Sequence, residues 1–187
     1  VFTAINLINT KIAKKLKGHS VHNQERIDSL MIKLDGTRKK TKLGANTVLA
    51  VSMAVKKLSA KVKRLPLYKT FLNKKNFQLP YPLMNIINGG AHADNGLRIQ
   101  EFMIRPDRAK SFSEAIRICF LVIKNLSKII NNKRLSTSVG DEGGFAPMIS
   151  SNKQALDLIV LAIKKSGFIN GKDVSICLDV AANELFK

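Results

Sequence analysis

The 187-residue chain has no tryptophan, two cysteines, and 13 acidic residues against 32 lysines and arginines. Each shortage excludes something. Cys119 and Cys177 sit in separate apolar runs, so they offer neither a disulfide framework nor a metal-ligand spacing. They read as small buried residues of a reducing compartment. The basic N-terminal stretch has only Phe2, Tyr68, Phe71 and Phe77 as aromatics, which is not the stacking set of an RNA-recognition module. No apolar run approaches the roughly 20 residues of a membrane span. No signal-peptide pattern opens the chain, and no repeat or low-complexity tract interrupts it. Val1 rather than Met comes first, so the chain is expected to begin inside a longer one.

What is present is a chain 45% hydrophobic, with the length of one domain or one and a half. Its net charge of +19 is unevenly spread: residues 1–80 hold 18 Lys/Arg and 3 Asp/Glu, and residues 81–187 hold 14 and 10. A basic half attracts nucleic acid, anionic lipid or acidic partners. Lysines outnumber arginines 24 to 8, however, and base or phosphate reading favours the forked guanidinium. Solvated lysines on helix faces are the expected explanation.

Hydrophobic spacing predicts a helix over residues 1–17, with Phe2, Ile5, Ile8, Ile12 and Leu16 inward and Gly18 past its end. A short helix is predicted over 24–32, with Ile27, Leu30 and Met31 on one side. His19 and His22 lie between the two, without further ligands to complete a metal site. After a turn at Asp35-Gly36-Thr37 and the basic run Arg38-Lys39-Lys40-Thr41-Lys42, a helix over about 45–61 is apolar on several sides and is expected to be mostly buried. Pro66 ends that region. Residues 73–80 read as a linker, which places one domain at 1–75 and a second at 76–187.

Beyond the linker, Leu83 to Ile87 predicts a buried strand closed by Asn88-Gly89-Gly90, and residues 99–104 predict another. Ser111 with Glu114, and Ser151 with Gln154, mark the N-termini of two helices. The first should bury Ala115, Ile116, Cys119, Ile123, Leu126 and Ile130. The second should run to about Ser166 with Leu156, Ile159 and Ile163 inward. Val174 to Val180 predicts a third buried strand, with Asp179 near its end.

Between those helices lies Val139-Gly140-Asp141-Glu142-Gly143-Gly144-Phe145-Ala146-Pro147. Glycine permits positive φ and close backbone approach, so such a loop can present one carboxylate to a substrate while the scaffold holds the other. Its plainer reading is an acidic turn. His92, Gln100, Glu101 and Asp179 fall at strand ends or just beyond them, and strand ends of α/β barrels and sheets converge on one ligand-binding rim.

These residues resemble the enolase family. The resemblance rests on Leu43-Gly44-Ala45-Asn46, Met84-Asn85-Ile86-Ile87-Asn88-Gly89-Gly90 with His92-Ala93-Asp94, Gln100-Glu101-Phe102, Gly140 to Pro147, and Leu178-Asp179-Val180-Ala181, in the family's order and spacing. It implies an α/β fold: the last helices of an α+β N-terminal domain, then the opening of a barrel with two strands and two helices before alternation begins. It implies reversible dehydration of 2-phosphoglycerate to phosphoenolpyruvate in glycolysis, with Mg²⁺, in a cytoplasmic protein that is a homodimer at full length. By the same resemblance Glu142 is the acid that helps expel the leaving hydroxyl. Glu101 lies beside that hydroxyl, Gln100 and His92 are substrate neighbours, and Asp179 is one carboxylate ligand of Mg²⁺. The family's lysine base, two further metal carboxylates and phosphate-binding residues fall in a later part of the barrel. Arg38 stands where proline is usual, and Asn183 where serine is usual. The positive charge is atypical.

Three readings follow: an enolase of which these residues are one part, a truncated and inactive remnant, or a basic scaffold serving as an RNA- or surface-binding module. The lysine-rich composition predicts loose, salt-sensitive binding of anions without base reading. In competition at about 150 mM salt, where screening acts within roughly 8 Å, an RNA and its scrambled counterpart should bind alike. A hundredfold preference for one sequence would show a specific reader.

Overall fold

The computed structural model describes residues 1–71 and 76–186. The chain divides into two compact units, Val1–Phe77 and Gln78–Lys187. Of the predicted linker, residues 73–75 lie outside the described residues, as does Lys187, and 76–80 have no regular structure. Among the described residues no helix is long and apolar enough to cross a membrane.

The first unit is helical. Helix α1 (Phe2–Leu7), a π-helical turn (Ile8–Ile12) and α2 (Ala13–Leu16) follow one another without a break. The π turn changes the phase of the helix. Ile12 is fully buried, with Leu7, Ile8 and Leu16 beside it, whereas Phe2 and Ile5, expected inward, are exposed. Helix α3 (Gln24–Asp35) runs three residues past the expected end. Asn23 caps its first turn through Arg26 N, and Gly36 ends it in the left-handed region at φ 69°. Ile27, Leu30 and Met31 are buried as the spacing predicts. Helix α4 (Ala45–Val62) departs from expectation. Only one stripe, Val48, Val51 and Val55, packs on the Ile12–Ile27–Met31–Leu43 cluster. Leu49, Met53, Leu58 and Val62 are exposed; the short 3-10 turn Leu67–Thr70 reaches α4, where Lys56 Nζ donates to Thr70 O at 2.9 Å, without burying them. His22 meets Ser59 Oγ at 3.1 Å rather than a metal-ligand partner.

The second unit follows the expected order of two strands, two helices and a strand. Strands β1 (Met84–Asn88), β2 (Glu101–Arg105) and β3 (Ser175–Asp179) form one sheet in that order, with β2 antiparallel to both neighbours. Helices α5 (Phe112–Asn132) and α6 (Asn152–Lys165) begin where the capping serines predicted. Ser111 Oγ accepts from Glu114 N at 3.1 Å and Ser151 Oγ from Gln154 N at 3.2 Å. Each such cap contributes about 1 kcal/mol.

The helices bury Ile118, Cys119, Val122, Leu126, Leu158, Ile159 and Ile163 with Ile86, Ile87, Phe102 and Ile104 of the sheet. The buried stripe of α5 is centred on Val122 and Leu126, leaving Ile116 exposed and Ile123 at its margin. Burial pushes the Cys119 thiol up to about 11. Strand β3 corrects the expectation of a buried strand: Leu178 and Asp179 are exposed and Cys177 is half-buried, since β3 is an edge of the described sheet.

One buried acid escaped the sequence reading. Asp35, fully buried, closes the basic turn: it accepts from Thr37 N at 2.9 Å, Lys42 N at 3.1 Å and Leu43 N at 2.7 Å, and from the Thr37 hydroxyl. Burial raises its pKa, but the hydrogen bonds from Thr37, Leu43 and Lys42 together outweigh burial and hold it below the usual carboxylate range. A depressed folded pKa means stability that is full above the unfolded value, near 4, and lost as pH falls toward the folded one. Thermal melts should therefore show part of the acid destabilisation below about pH 4 arising from Asp35. Asp35→Asn should lower the melting temperature at pH 7 and flatten that acid limb. An unchanged limb would show that this carboxylate is not linked to folding.

Candidate active site

The helices cover one face of the sheet, so strand alternation leaves the other face for polar groups. In register, Asn88 of β1 pairs with Glu101 of β2, and Glu101 with Asp179 of β3. Directly paired residues of antiparallel strands project to the same side. Asn88, Glu101 and Asp179 therefore form one row across the sheet. An irregularity between Asn85 and Ile87 sets this register: it allows Ile86 and Ile87 both to be buried while Asn88 comes level with Glu101.

Two loops bring further groups to that row. The first follows β1. Gly89 N donates to Gln100 O at 2.9 Å and Gly90 N to Leu97 O at 2.9 Å, while a short 3-10 turn (Gly90–His92) carries His92. Buried Asn95 donates through Nδ2 to Asn88 O at 2.8 Å and fixes the loop from inside. The second is the acidic loop. Phe145 adds to β1 like one residue of a parallel strand: Phe145 N donates to Ile86 O and Asn88 N to Phe145 O, each at 2.9 Å. Gly140 N donates to Gly144 O at 2.8 Å and Gly143 N to Gly140 O at 3.0 Å, with Gly143 at φ +81°, so Glu142 stands at the tip of a tight turn.

His92, Glu101 and Glu142 meet there, each with one ligand atom within 4.8 Å of the others'. His92 Nδ1 lies 3.6 Å from Glu101 Oε1, too far for a hydrogen bond, and is buried with no partner among the described residues. Glu142 is exposed. Asp141 is exposed too. What the scaffold holds is its backbone N–H, which donates to His92 O at 3.3 Å, and not its carboxylate. Gln100 lies beside Glu101, donates from N to Asp179 O at 3.2 Å, and lines a cleft of about 300 Å³ with Ala181, Ala182, Asn183 and Glu184.

Asp179 stays outside the three-residue cluster but directly across from Glu101. It is exposed, and one carboxylate oxygen accepts from Ala181 N at 3.0 Å. A hard divalent cation that takes oxygen ligands suits Asp179 as a single ligand. A nitrogen-containing set such as His92–Glu101–Glu142 suits it less.

Asn88 was not singled out in the sequence as more than the end of a strand. Its fully buried side chain lies between the two glycines that bound the acidic turn. A Cβ at Gly140 would meet Asn88 Nδ2 at 2.5 Å and His92 O at 2.6 Å, and one at Gly144 would overlap Asn88 Oδ1 and approach Ile87 N at 2.9 Å. The signal was present as Asn-Gly-Gly in one motif and paired glycines in another, but only the fold joins them. Gly140→Ala should cost about 1–3 kcal/mol, as overpacking does, and separate His92 from Glu142. Chemical denaturation measures the first effect, and wild-type stability in the variant would show that the clamp is loose.

Residues 1–71 match the family described as "Enolase, N-terminal domain", and residues 76–187 match "Enolase, C-terminal TIM barrel domain". Over all 187 residues the chain is 75% identical to the enolase of Pelagibacter ubique (strain HTCC1062), of which it spans 45%. With both family domains represented, and with its two strands and two helices before a third strand, the chain belongs to the enolase family.

Proposed function

We propose that these residues form the leaving-group side of an enolase site, which dehydrates 2-phosphoglycerate to phosphoenolpyruvate as a glycolytic hydro-lyase. The observation that carries this reading is the convergence of His92, Glu101 and Glu142, from three separate segments, within 4.8 Å. Hydroxide is a poor leaving group and needs a proton as it departs. In this reading Glu142, on its exposed turn, gives that proton. Glu101, on a strand that fixes its direction, holds the hydroxyl. His92 and Gln100 line the substrate's place. The unpartnered His92 Nδ1 supports it, since a buried polar atom without a partner marks a place where a ligand or water belongs. Asp179 would supply one oxygen to Mg²⁺, and bound Mg²⁺ would stabilise negative charge developing on the substrate's carboxylate. The domain division at 75/76, a cytoplasmic location and a full-length homodimer belong to the same reading.

The test grafts these 187 residues in place of the matched part of the Pelagibacter ubique enolase. Phosphoenolpyruvate, followed by ultraviolet absorbance, should form with Mg²⁺ present, and Glu142→Gln should lower kcat by about 10²–10⁴. A folded graft without turnover, or an unaffected Glu142→Gln, would overturn the assignment. A polypeptide limited to the 187 residues should fall below about one turnover per second. It should bind Mg²⁺ only weakly, because one carboxylate satisfies little of an octahedral shell. A micromolar site abolished by Asp179→Asn would show that other residues complete the coordination.

A further inference from the structure

The first unit carries a charge imbalance that dehydration does not use. Its described residues include 16 lysines and arginines and 3 acids. Every ion pair of a lysine or arginine among the described residues lies in the other unit: Arg105–Asp107, Arg108–Asp173 and Lys153–Asp157. Of the three acids, Asp35 is buried beneath the basic turn, and Asp28 accepts from Gln24 Nε2 at 3.1 Å. The described cations of this unit thus have no described carboxylate as a partner. Concentrated like charge of this kind works against compactness, and a bound polyanion relieves it.

The cations are densest at a turn whose backbone is tied by several hydrogen bonds. Asp35 receives the backbone N–H groups of Thr37, Lys42 and Leu43. Thr37 Oγ1 accepts from Thr41 N at 2.8 Å, and Gly44 N donates to Lys40 O at 2.8 Å. Lys40 holds φ 57°, with its Nζ 3.4 Å from the carbonyls of Thr37 and Arg38. That leaves Arg38, Lys39 and Lys42 exposed on a closed turn. We propose that this turn, Thr37 to Lys42, is a binding site for the phosphodiester backbone of nucleic acid, independent of base sequence and of the dehydration site.

Three features select that ligand. The hydrogen bonds of the turn fix its backbone before binding, so only side-chain freedom of the exposed cations is lost when phosphates arrive. One arginine among three lysines supplies point charges rather than the paired forks that read base edges. Thr37 to Lys42 contains no apolar side chain that could enter a bilayer, which disfavours a membrane surface.

The experiment uses these 187 residues and a fluorescein-labelled single strand of about 20 nucleotides, in mixed-sequence and homopolymer forms, with anisotropy read from about 50 to 200 mM salt. Both strands should bind at low salt with similar affinity. Arg38→Gln/Lys39→Gln/Lys42→Gln should weaken binding at least tenfold and reduce the salt slope by about 2, near 0.7 per lost phosphate contact. A control that removes the same charge elsewhere, Lys164→Gln/Lys165→Gln/Lys172→Gln, should leave the slope unchanged. Circular dichroism melts of both variants confirm folding, which these exposed positions should not disturb. Equal losses in the two triple variants would overturn the proposal in favour of diffuse charge. No binding at about 50 mM would overturn it outright, and so would tighter binding to phosphatidylserine vesicles than to either strand.

Discussion

The packing of the Asn88 side chain between Gly140 and Gly144 is the constraint on which the candidate site depends. A strand end and a loop some fifty residues later in the sequence meet there at backbone distance. Such an approach is open only to residues without a Cβ. It puts the Asp141 N–H against His92 O and closes the turn that lifts Glu142 toward His92 and Glu101. The same contact anchors Phe145 along β1, so the position of the acid is inherited from the most deeply buried strand of the unit.

That strand owes its rigidity to the layer behind it. Helices α5 and α6, each started by a serine cap, bury a continuous set of branched side chains against Phe102 and Ile104. Interiors packed this way resist displacement, because lost contacts are not recovered by partial relaxation. With one face of the sheet committed to the helices, the row Asn88–Glu101–Asp179 falls on the other face at no additional cost. The separation of apolar support from polar chemistry is thus a consequence of strand alternation.

The helical unit is organised on a different principle. Its small apolar cluster engages one stripe of α4, and Asp35 supplies a buried anchor for a turn in which four of the six residues Thr37 to Lys42 are cations. An ionised carboxylate can remain in such a place because backbone donors replace the water it loses. The turn is therefore held by backbone donors around one buried acid, and the charges of its exposed lysines and arginine take no part in holding it.

The sequence by itself determined the helices with strong periodicity and serine caps, the positions of β1 and β2, and the identity of His92, Gln100, Glu101, Glu142 and Asp179 as site candidates. Those features are local: a cap, a two-residue alternation and a glycine-flanked acid pair each act within a few residues. Only the tertiary structure decided that His92, Glu101 and Glu142 meet while Asp179 stands one strand away, that β3 is half-exposed, and that α4 leaves an apolar flank uncovered. Burial depends on which elements surround a segment, and no local pattern specifies its neighbours. The roles of Asn88 and Asp35 were hidden for the same reason. An asparagine beside two glycines and an aspartate before a glycine look like ordinary turn residues until the fold places a second glycine loop on one and a ring of backbone donors around the other.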